Sequence, residues 1–152
     1  MTRLGGFFPE EMRHSHASRQ VGAGSVFFTH CDFTTPPKCK YVAVLADGEH
    51  PLLALINSEV HPFIQARSHL LQLQVPLFAG DYAFLDHDSY LNCARIFQGE
   101  FSRAELEGIW STYPDNCWEL TNTTRSEVVS VIGATEVLSE VHRAAILRDL
   151  SP

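Results

Sequence analysis

Short apolar runs separated by turn residues occupy the centre of the chain. Residues 24–30, 40–46 and 52–58 are rich in β-branched, aliphatic and aromatic side chains, which favour strands. The Asp-Gly pair at 47–48 predicts a hairpin turn between the second and third runs. Residues 71–75 alternate apolar and polar positions, which is the period of a half-buried strand. The pattern therefore predicts a series of consecutive antiparallel strands.

The segment 82–97 carries the densest polar chemistry in the sequence. Two apolar, aromatic runs flank Asp86-His87-Asp88-Ser89, so the pattern predicts a strand, a tight turn and a second strand. Two interpretations of the four polar side chains stay open. In one they bind their own backbone within the turn, as Asp and Ser often do. In the other they form a functional cluster, in which the histidine titrates near neutral pH.

Helical patterns dominate the rest of the chain. Residues 101–110 open with a Ser-x-x-Glu capping pattern and place apolar residues on one helix face. Thr123 or Thr124 is the expected N-cap of a second helix, which is expected to stop at Gly133. A third amphipathic pattern predicts a last helix over 136–150.

Strands followed by helices indicate one α+β domain over residues 24–152. We expect a small barrel or strongly curled antiparallel β-sheet with its core over about 24–100, followed by C-terminal helices over about 101–150. One or two helical turns at 63–70 interrupt the strands. An open antiparallel sheet with helices on one face is the alternative. Residues 1–23 show neither period, which predicts a poorly anchored N-terminal arm.

Composition and charge narrow the classes of function. Hydrophobic residues make up 45% of the 152 residues, and the formal net charge is -7. With only 11 Lys and Arg, the sequence argues against a broad electrostatic surface for nucleic acid but allows a small basic groove. No apolar run is long enough for a membrane span, and the start lacks the apolar stretch of a signal peptide. We therefore expect a cytoplasmic protein with no membrane partner.

The four cysteines do not form a known local signature. They lie at positions 31, 39, 93 and 117, without a CxxC pair or zinc-ribbon spacing. Cys93 lies in an apolar strand pattern and is interpreted as a small buried hydrophobe. Cys31, Cys39 or Cys117 could serve as a covalent nucleophile, although no neighbouring motif supports that role.

Three of the strand patterns together resemble a known family. Residues 24–27, Gly-Ser-Val-Phe, are similar to an opening Gly-Asp-Ile/Val-type strand. Residues 40–45 pair a basic residue with an apolar run, and residues 53–58 form an apolar strand that ends in small polar residues. In this order the patterns resemble the PemK/MazF-like plasmid-maintenance toxins, and the resemblance covers about residues 22–110.

The resemblance implies an SH3-like barrel that cleaves single-stranded RNA without a metal or cofactor, forms a homodimer and is bound by an antitoxin or another protein. The family's catalytic arginine falls where this chain has Lys38 and Lys40, and lysine lacks the planar fork of arginine. The family's catalytic threonine falls near Asn57 or Ser58.

RNA cleavage of this kind needs a base, an acid and positive charge at the phosphorus. The residues that could meet these needs as catalytic groups are Lys40, Ser58, His87 and His30. Substrate contacts are expected from Lys38, Asn57, Asp86, Asp88, Ser89 and Arg95. The plainer interpretation is that these residues cap strand ends, close turns or stay solvated.

Two further classes of function remain open. The first is a catalytically silent SH3-like barrel that binds a protein or peptide in an aromatic groove. Its candidate residues are Phe27, Phe28, Tyr41, Phe84, Tyr90 and Trp110. The second is a metal-dependent hydrolase, although no metal-ligand spacing supports it. Its candidate ligands are His30, Cys31, Asp32, Asp86, His87 and Asp88, with His14 and His16 in the arm.

Overall fold

The computed structural model describes residues 21–152, so the first 20 residues, with His14 and His16, lie outside the described part of the chain. The seven strands of residues 21–152 form one curled antiparallel sheet. In chain order, β1 to β7 are Ser25–Cys31, Lys38–Ala46, Leu52–Asn57, Gln74–Leu77, Ser89–Asn92, Phe97–Gln98 and Cys117–Glu119. Val21, at the end of the expected arm, is buried.

Two short helices interrupt the strands and three longer ones lie towards the C-terminus. Helices α1 to α5 are Pro62–Gln65, Ser68–Leu71, Arg103–Thr112, Asn122–Gly133 and Glu140–Leu150. Within the described residues, the 3-10 turn Pro114–Asn116 precedes β7. None of the helices in the described residues is long and apolar enough to cross a membrane.

The sheet is a half-barrel. Its strand order is β4-β5-β3-β2-β1-β7, and β6 pairs with β3. Each pairing is antiparallel, and β4 and β7 are the two ends of the path. The expected fold class, a small α+β domain with a strongly curled antiparallel sheet and C-terminal helices, is therefore confirmed.

The sheet is covered by apolar side chains on both faces. Because side chains alternate along a strand, neighbouring residues of β2 enter different clusters. One cluster packs against α4 and α5 and includes Val26, Ala43, Ile56, Leu91, Val128, Ile132 and Ile146. The other packs against α3 and includes Phe27, Val42, Val44, Leu53 and Leu106. Burial on two faces explains why the strand patterns are nearly continuous apolar runs.

The helix caps agree with the sequence in part. Ser102 and Glu105 form the predicted capping box of α3, in which each side chain accepts a hydrogen bond from the other residue's backbone. The N-cap of α4 is Thr121 and not Thr123 or Thr124, because the Thr121 hydroxyl accepts a hydrogen bond from the Thr124 amide and the other two threonines lie within the helix.

Helix α5 begins at Glu140 after the Ser139 cap, four residues later than the pattern predicts. The short helices α1 and α2 occupy the stretch where one or two helical turns are expected, and α1 has Pro62 at its start.

Three predicted strands differ from the structure, and one observed strand was not predicted. The second apolar run of the segment 82–97 divides into β5 and β6. Residues 71–75 do not form one strand, because α2 extends to Leu71 and β4 begins at Gln74. Residues 82–85 form turns, since Tyr82 is drawn into the core by hydrogen bonds to the start of α4. Strand β7 was not predicted, because its three residues are too short for a period and are ordered by pairing with β1.

Candidate functional site

A cleft lies where the ends of β2 and β3 meet the loop that precedes β5. Its volume is about 200 Å³. The described residues that line it are Phe28, Cys39, Lys40, Tyr41, Ile56, Ser58, Phe84, Leu85, Asp86, His87 and Ser89. Five candidate residues from three separate parts of the sequence, Lys40, Ser58, Asp86, His87 and Ser89, therefore border one concave surface.

The strand register places Lys40 and the aromatic residues of the cleft on opposite faces of the sheet. Tyr41 pairs with Ile56, and Ile56 pairs with Leu91, so these side chains share one face. Lys40 and Asn57 are their immediate neighbours and therefore belong to the opposite face. Lys40 thus borders the cleft at its edge, whereas the aromatic residues form its wall.

Lys40 is held in place by a neighbouring amide. Its Nζ donates a hydrogen bond to Asn57 Oδ1 across β2 and β3. Burial lowers the pKa of Lys40, and the charge of Lys38 lowers it further, whereas Cys31 acts in the opposite direction. The ammonium group is therefore partly desolvated, which strengthens its attraction for an anion.

Stacked aromatic rings form the wall of the cleft. The Tyr41 ring centroid lies 4.7 Å from that of Phe28 and 4.9 Å from that of Phe84. Phe84 in turn lies 4.6 Å from Trp118 of β7. Phe28 is 36% exposed and presents an open ring to the cleft. Trp118 was not predicted as a site residue. The one feature of the sequence that could have indicated it is an aromatic side chain shortly after the proline break at 114.

Tyr41 joins the wall to the loop. Its hydroxyl donates to the carbonyl of Phe84 over 3.1 Å. Burial raises the pKa of Tyr41, and the nearby Asp86 carboxylate raises it further. Tyr41 therefore stays a neutral hydrogen-bond donor at physiological pH.

The four residues of the Asp86-His87-Asp88-Ser89 cluster divide into two that stabilise the loop and two that face the cleft. Asp88 accepts a hydrogen bond from the Ala79 amide at 2.9 Å, and the Ser89 hydroxyl donates to the His87 carbonyl at 3.1 Å. These two side chains stabilise the loop. Asp86 and His87 are exposed and line the cleft, so they are the members available to a ligand.

Five predicted site residues do not line the cleft. Asn57 and Asp88 lie beside it, where they bind Lys40 and the Ala79 amide, and the other three lie elsewhere. His30 is exposed and forms an ion pair with Asp32 at 2.9 Å when protonated. Lys38 is exposed and pairs with Cys31 in the β1–β2 register. Arg95 borders a separate groove beside α1. None of the three contributes to the lining of the cleft among the described residues.

The four cysteines differ in burial and in their distance from the cleft. Burial is the main cause that raises the pKa of Cys31 to about 11 and that of Cys117 to about 12, so both are thiols at neutral pH. Neither is therefore activated as a nucleophile. Cys39 is exposed and lines the cleft, and Cys93 is buried as predicted.

The six candidate metal ligands of the described chain do not converge on one centre. Within residues 21–152, no group of three or more His, Cys, Asp or Glu side chains is arranged to hold a metal ion.

The aromatic residues predicted to form a peptide groove lie in two different places. Phe28, Tyr41 and Phe84 line the cleft, whereas Phe27 and Trp110 pack in the cluster under α3.

Comparison of the chain with protein-family models, with curated proteins and with solved structures found no match.

Proposed function

We propose that the protein is a PemK/MazF-like, toxin-type endoribonuclease that cleaves single-stranded RNA without a metal ion. The observation that carries the proposal is the cleft, which is lined by His87, Ser58 and Ser89 beside aromatic rings and bordered at its edge by the partly desolvated Lys40. RNA cleavage by attack of the 2′-hydroxyl requires a base and positive charge at the phosphate, and both groups are present at this site. The proposal includes a cytoplasmic location, a homodimer and an antitoxin partner.

Each group in the cleft has a role in the proposed reaction. His87 removes the proton of the 2′-hydroxyl, whose oxygen then forms a bond to phosphorus. The bond from phosphorus to the 5′-oxygen breaks, and that oxygen takes a proton from water. His87 then returns its proton to the hydroxide that forms, which restores the neutral base. Lys40, held by Asn57, stabilises the charge that develops on the phosphate oxygens. Ser58 is the exposed hydroxyl of the cleft and donates to the phosphate.

The aromatic wall supports a single-stranded substrate. Unpaired bases stack on exposed aromatic rings, which proteins use to bind single strands without a large basic surface. Phe28 and Tyr41 offer such a surface next to Lys40. A short cleft of this kind is compatible with the acidic net charge, because few phosphates need to be neutralised at once.

Substitution of His87 and Lys40 tests the proposal. His87→Ala and Lys40→Ala are each expected to lower the rate of RNA cleavage by about a hundredfold, since each removes a group that acts at the phosphate. The measurement is cleavage of a fluorescently labelled single-stranded RNA in excess EDTA, together with growth arrest on induced expression.

Matched controls separate these roles from general effects of charge. His50→Ala changes an exposed histidine in the hairpin loop after β2 and is expected to leave cleavage unchanged. Lys38→Ala removes an equal charge two residues from Lys40 and is expected to cause a much smaller loss. Wild-type rates in both His87→Ala and Lys40→Ala would rule out the proposed mechanism.

A catalytically silent barrel that binds a peptide is the second candidate. It is favoured by the continuous ring contacts of Phe28, Tyr41, Phe84 and Trp118, because aromatic grooves bind extended peptides. Lys40 and His87 border the same cleft, and a purely aromatic peptide groove has no need of them. Binding of a proline-rich peptide with no detectable RNA binding would favour this second function.

A further inference from the structure

A second groove lies between α1, α2 and the loop that follows β5. Its volume is about 440 Å³, which is within the range of small-molecule sites. The described residues that line it are His61, Phe63, Ile64, Leu70, Asn92, Ala94 and Arg95, and none of them carries a carboxylate. This α1–β5 groove is distinct from the cleft of the proposed ribonuclease site, since the two share no lining residue.

The polar groups of the groove are arranged as donors. His61 Nδ1 accepts a hydrogen bond from the Phe63 amide at 3.1 Å, so the neutral ring carries its proton on Nε2. Asn92 Oδ1 accepts from Gln74 Nε2 at 2.8 Å and from the Ala94 amide at 3.1 Å, which leaves the Asn92 amide hydrogens as the donors of that side chain. Arg95 is exposed at the rim and always charged. Donors without carboxylates favour an anionic ligand.

Arg67 and Arg95 lie over aromatic rings, whereas three other arginines of the described chain pair with carboxylates. Arg103, Arg143 and Arg148 form ion pairs with carboxylates. Arg67, in contrast, lies over the Phe63 ring at 3.5 Å, and Arg95 lies over the Phe97 ring at 4.9 Å. Arg67 also donates to the Phe63 carbonyl at 2.7 Å, so Arg95, which lines the groove, is the guanidinium group offered to an anion there.

The apolar part of the groove favours a planar group. Phe63 is 53% exposed, and Ile64, Leu70 and Ala94 line the groove beside it. An exposed aromatic ring beside donors fits a ligand that combines a flat ring with an anion. A nucleotide has this combination, because its base stacks while its phosphate accepts hydrogen bonds.

We propose that the α1–β5 groove binds a nucleotide, with the base against Phe63 and the phosphate at Arg95 and the Asn92 amide. The nucleotide is either free in solution or one unit of a single-stranded RNA. In the second case the inference rests on the proposed function: Ser89 of the cleft and Asn92 of the groove lie three residues apart on β5, about 10 Å, which one or two nucleotides can span.

The experiment compares two arms on the full-length protein. The first titrates AMP, GMP, CMP and UMP by calorimetry, and the second titrates a fluorescent eight-nucleotide strand without 2′-hydroxyls by anisotropy. Because that strand cannot be cleaved by 2′-hydroxyl attack, binding is measured whether or not the protein is a ribonuclease. Arg95→Ala and Phe63→Ala are each expected to weaken binding about tenfold.

Arg148→Ala is the matched control, because Arg148 is exposed on α5 and its loss changes the net charge equally. Binding in the mononucleotide arm that depends on Arg95 supports a site for free nucleotides, and binding in the oligonucleotide arm alone supports a subsite for RNA. Equal loss in Arg95→Ala and Arg148→Ala would overturn the inference. Binding of an acidic peptide in place of both probes would also overturn it.

Discussion

Cys93 illustrates how burial controls a single ionisable group. Its side chain is fully buried in the cluster under α4 and α5. Burial raises the pKa of Cys93 from 9.0 to about 12, because the thiolate cannot be solvated there. Between these two values the unfolded chain loses the Cys93 proton while the folded protein retains it. The thiol therefore contributes stability that is complete below pH 9 and is lost as the pH rises towards 12.

This linkage predicts the pH dependence of a Cys93→Ala variant. At pH 8 the variant is expected to be less stable than the wild type by about 1 kcal/mol, since a buried sulfur is lost. The difference between the two proteins should shrink from pH 9 to pH 11, because only the wild type loses stability through Cys93. Urea denaturation at each pH measures it. A difference that stays constant over this range would contradict a raised Cys93 pKa.

At the scale of elements, Tyr82 connects the cleft loop to α4. Its hydroxyl lies 2.5 Å from the Thr124 hydroxyl and accepts a hydrogen bond from the Thr121 amide at 3.1 Å. Thr121 is also the N-cap of α4, so the same contacts hold the loop and the helix start. The position of the loop that carries His87 therefore depends on the contacts that Tyr82, five positions earlier in that loop, makes with the start of α4.

Removal of that hydroxyl tests the connection. Tyr82→Phe is expected to lower the free energy of unfolding by about 2 kcal/mol, because the buried Thr124 hydroxyl loses the shorter of its two hydrogen bonds and the Thr121 amide loses its acceptor. Tyr113→Phe removes the hydroxyl of a tyrosine that is 56% exposed and should have almost no effect. Chemical denaturation of the two variants gives the comparison. Equal stabilities would show that the Tyr82 hydroxyl does not connect the two elements.

Local pattern predicted the elements where the chain itself supplies the signal. Strands β1, β2 and β3 have long apolar runs, and α3 has a complete capping box. The predicted ends of these four elements therefore lie within two residues of the observed ends. The turns at 82–85 and strand β7 were not found. Tyr82 and Phe84 are typical of strands, yet their rings enter a cluster with Tyr41 and Trp118, and packing overrides the local preference.

At the scale of the whole molecule, Gly24 joins the sheet to the helical layer. Its amide donates to the Val44 carbonyl at 2.7 Å, and its carbonyl accepts from the Leu120 amide at 2.8 Å. Its φ is 95°, and a Cβ there would lie 3.0 Å from the guanidinium of Arg125. Arg125 in turn donates to the Leu150 carbonyl at the end of α5. One glycine therefore allows β1, β7 and both helices to meet.

Gly24→Ala is expected to destabilise the protein by about 2 kcal/mol, because alanine is strained at this φ and displaces Arg125. Gly22→Ala is the matched control. A Cβ at Gly22 would meet no atom within 4 Å, so a change of less than about 0.5 kcal/mol is expected. Thermal unfolding followed by circular dichroism measures both. Similar melting temperatures for the two variants would contradict the inference that Gly24 allows β1, β7 and the two helices to meet.

The candidate site was predicted as a list of residues, and the structure sorts them. Ser58, His87 and Ser89 border the cleft because the end of β3 lies beside β5. Lys40 joins them at the edge, while Lys38, His30 and Arg95 lie elsewhere. Position along the chain could not separate these groups, since strand alternation and curling decide which side chains share a surface.

The sequence alone determined the α+β class, the antiparallel strands and the capped helix α3, since these follow from interactions within a few residues. The tertiary structure decided which polar strand ends meet, and it placed Trp118 behind the cleft and Arg95 in a separate groove. The physical reason is that contacts between distant segments depend on register, sheet curvature and the packing of both faces. A local pattern contains none of these.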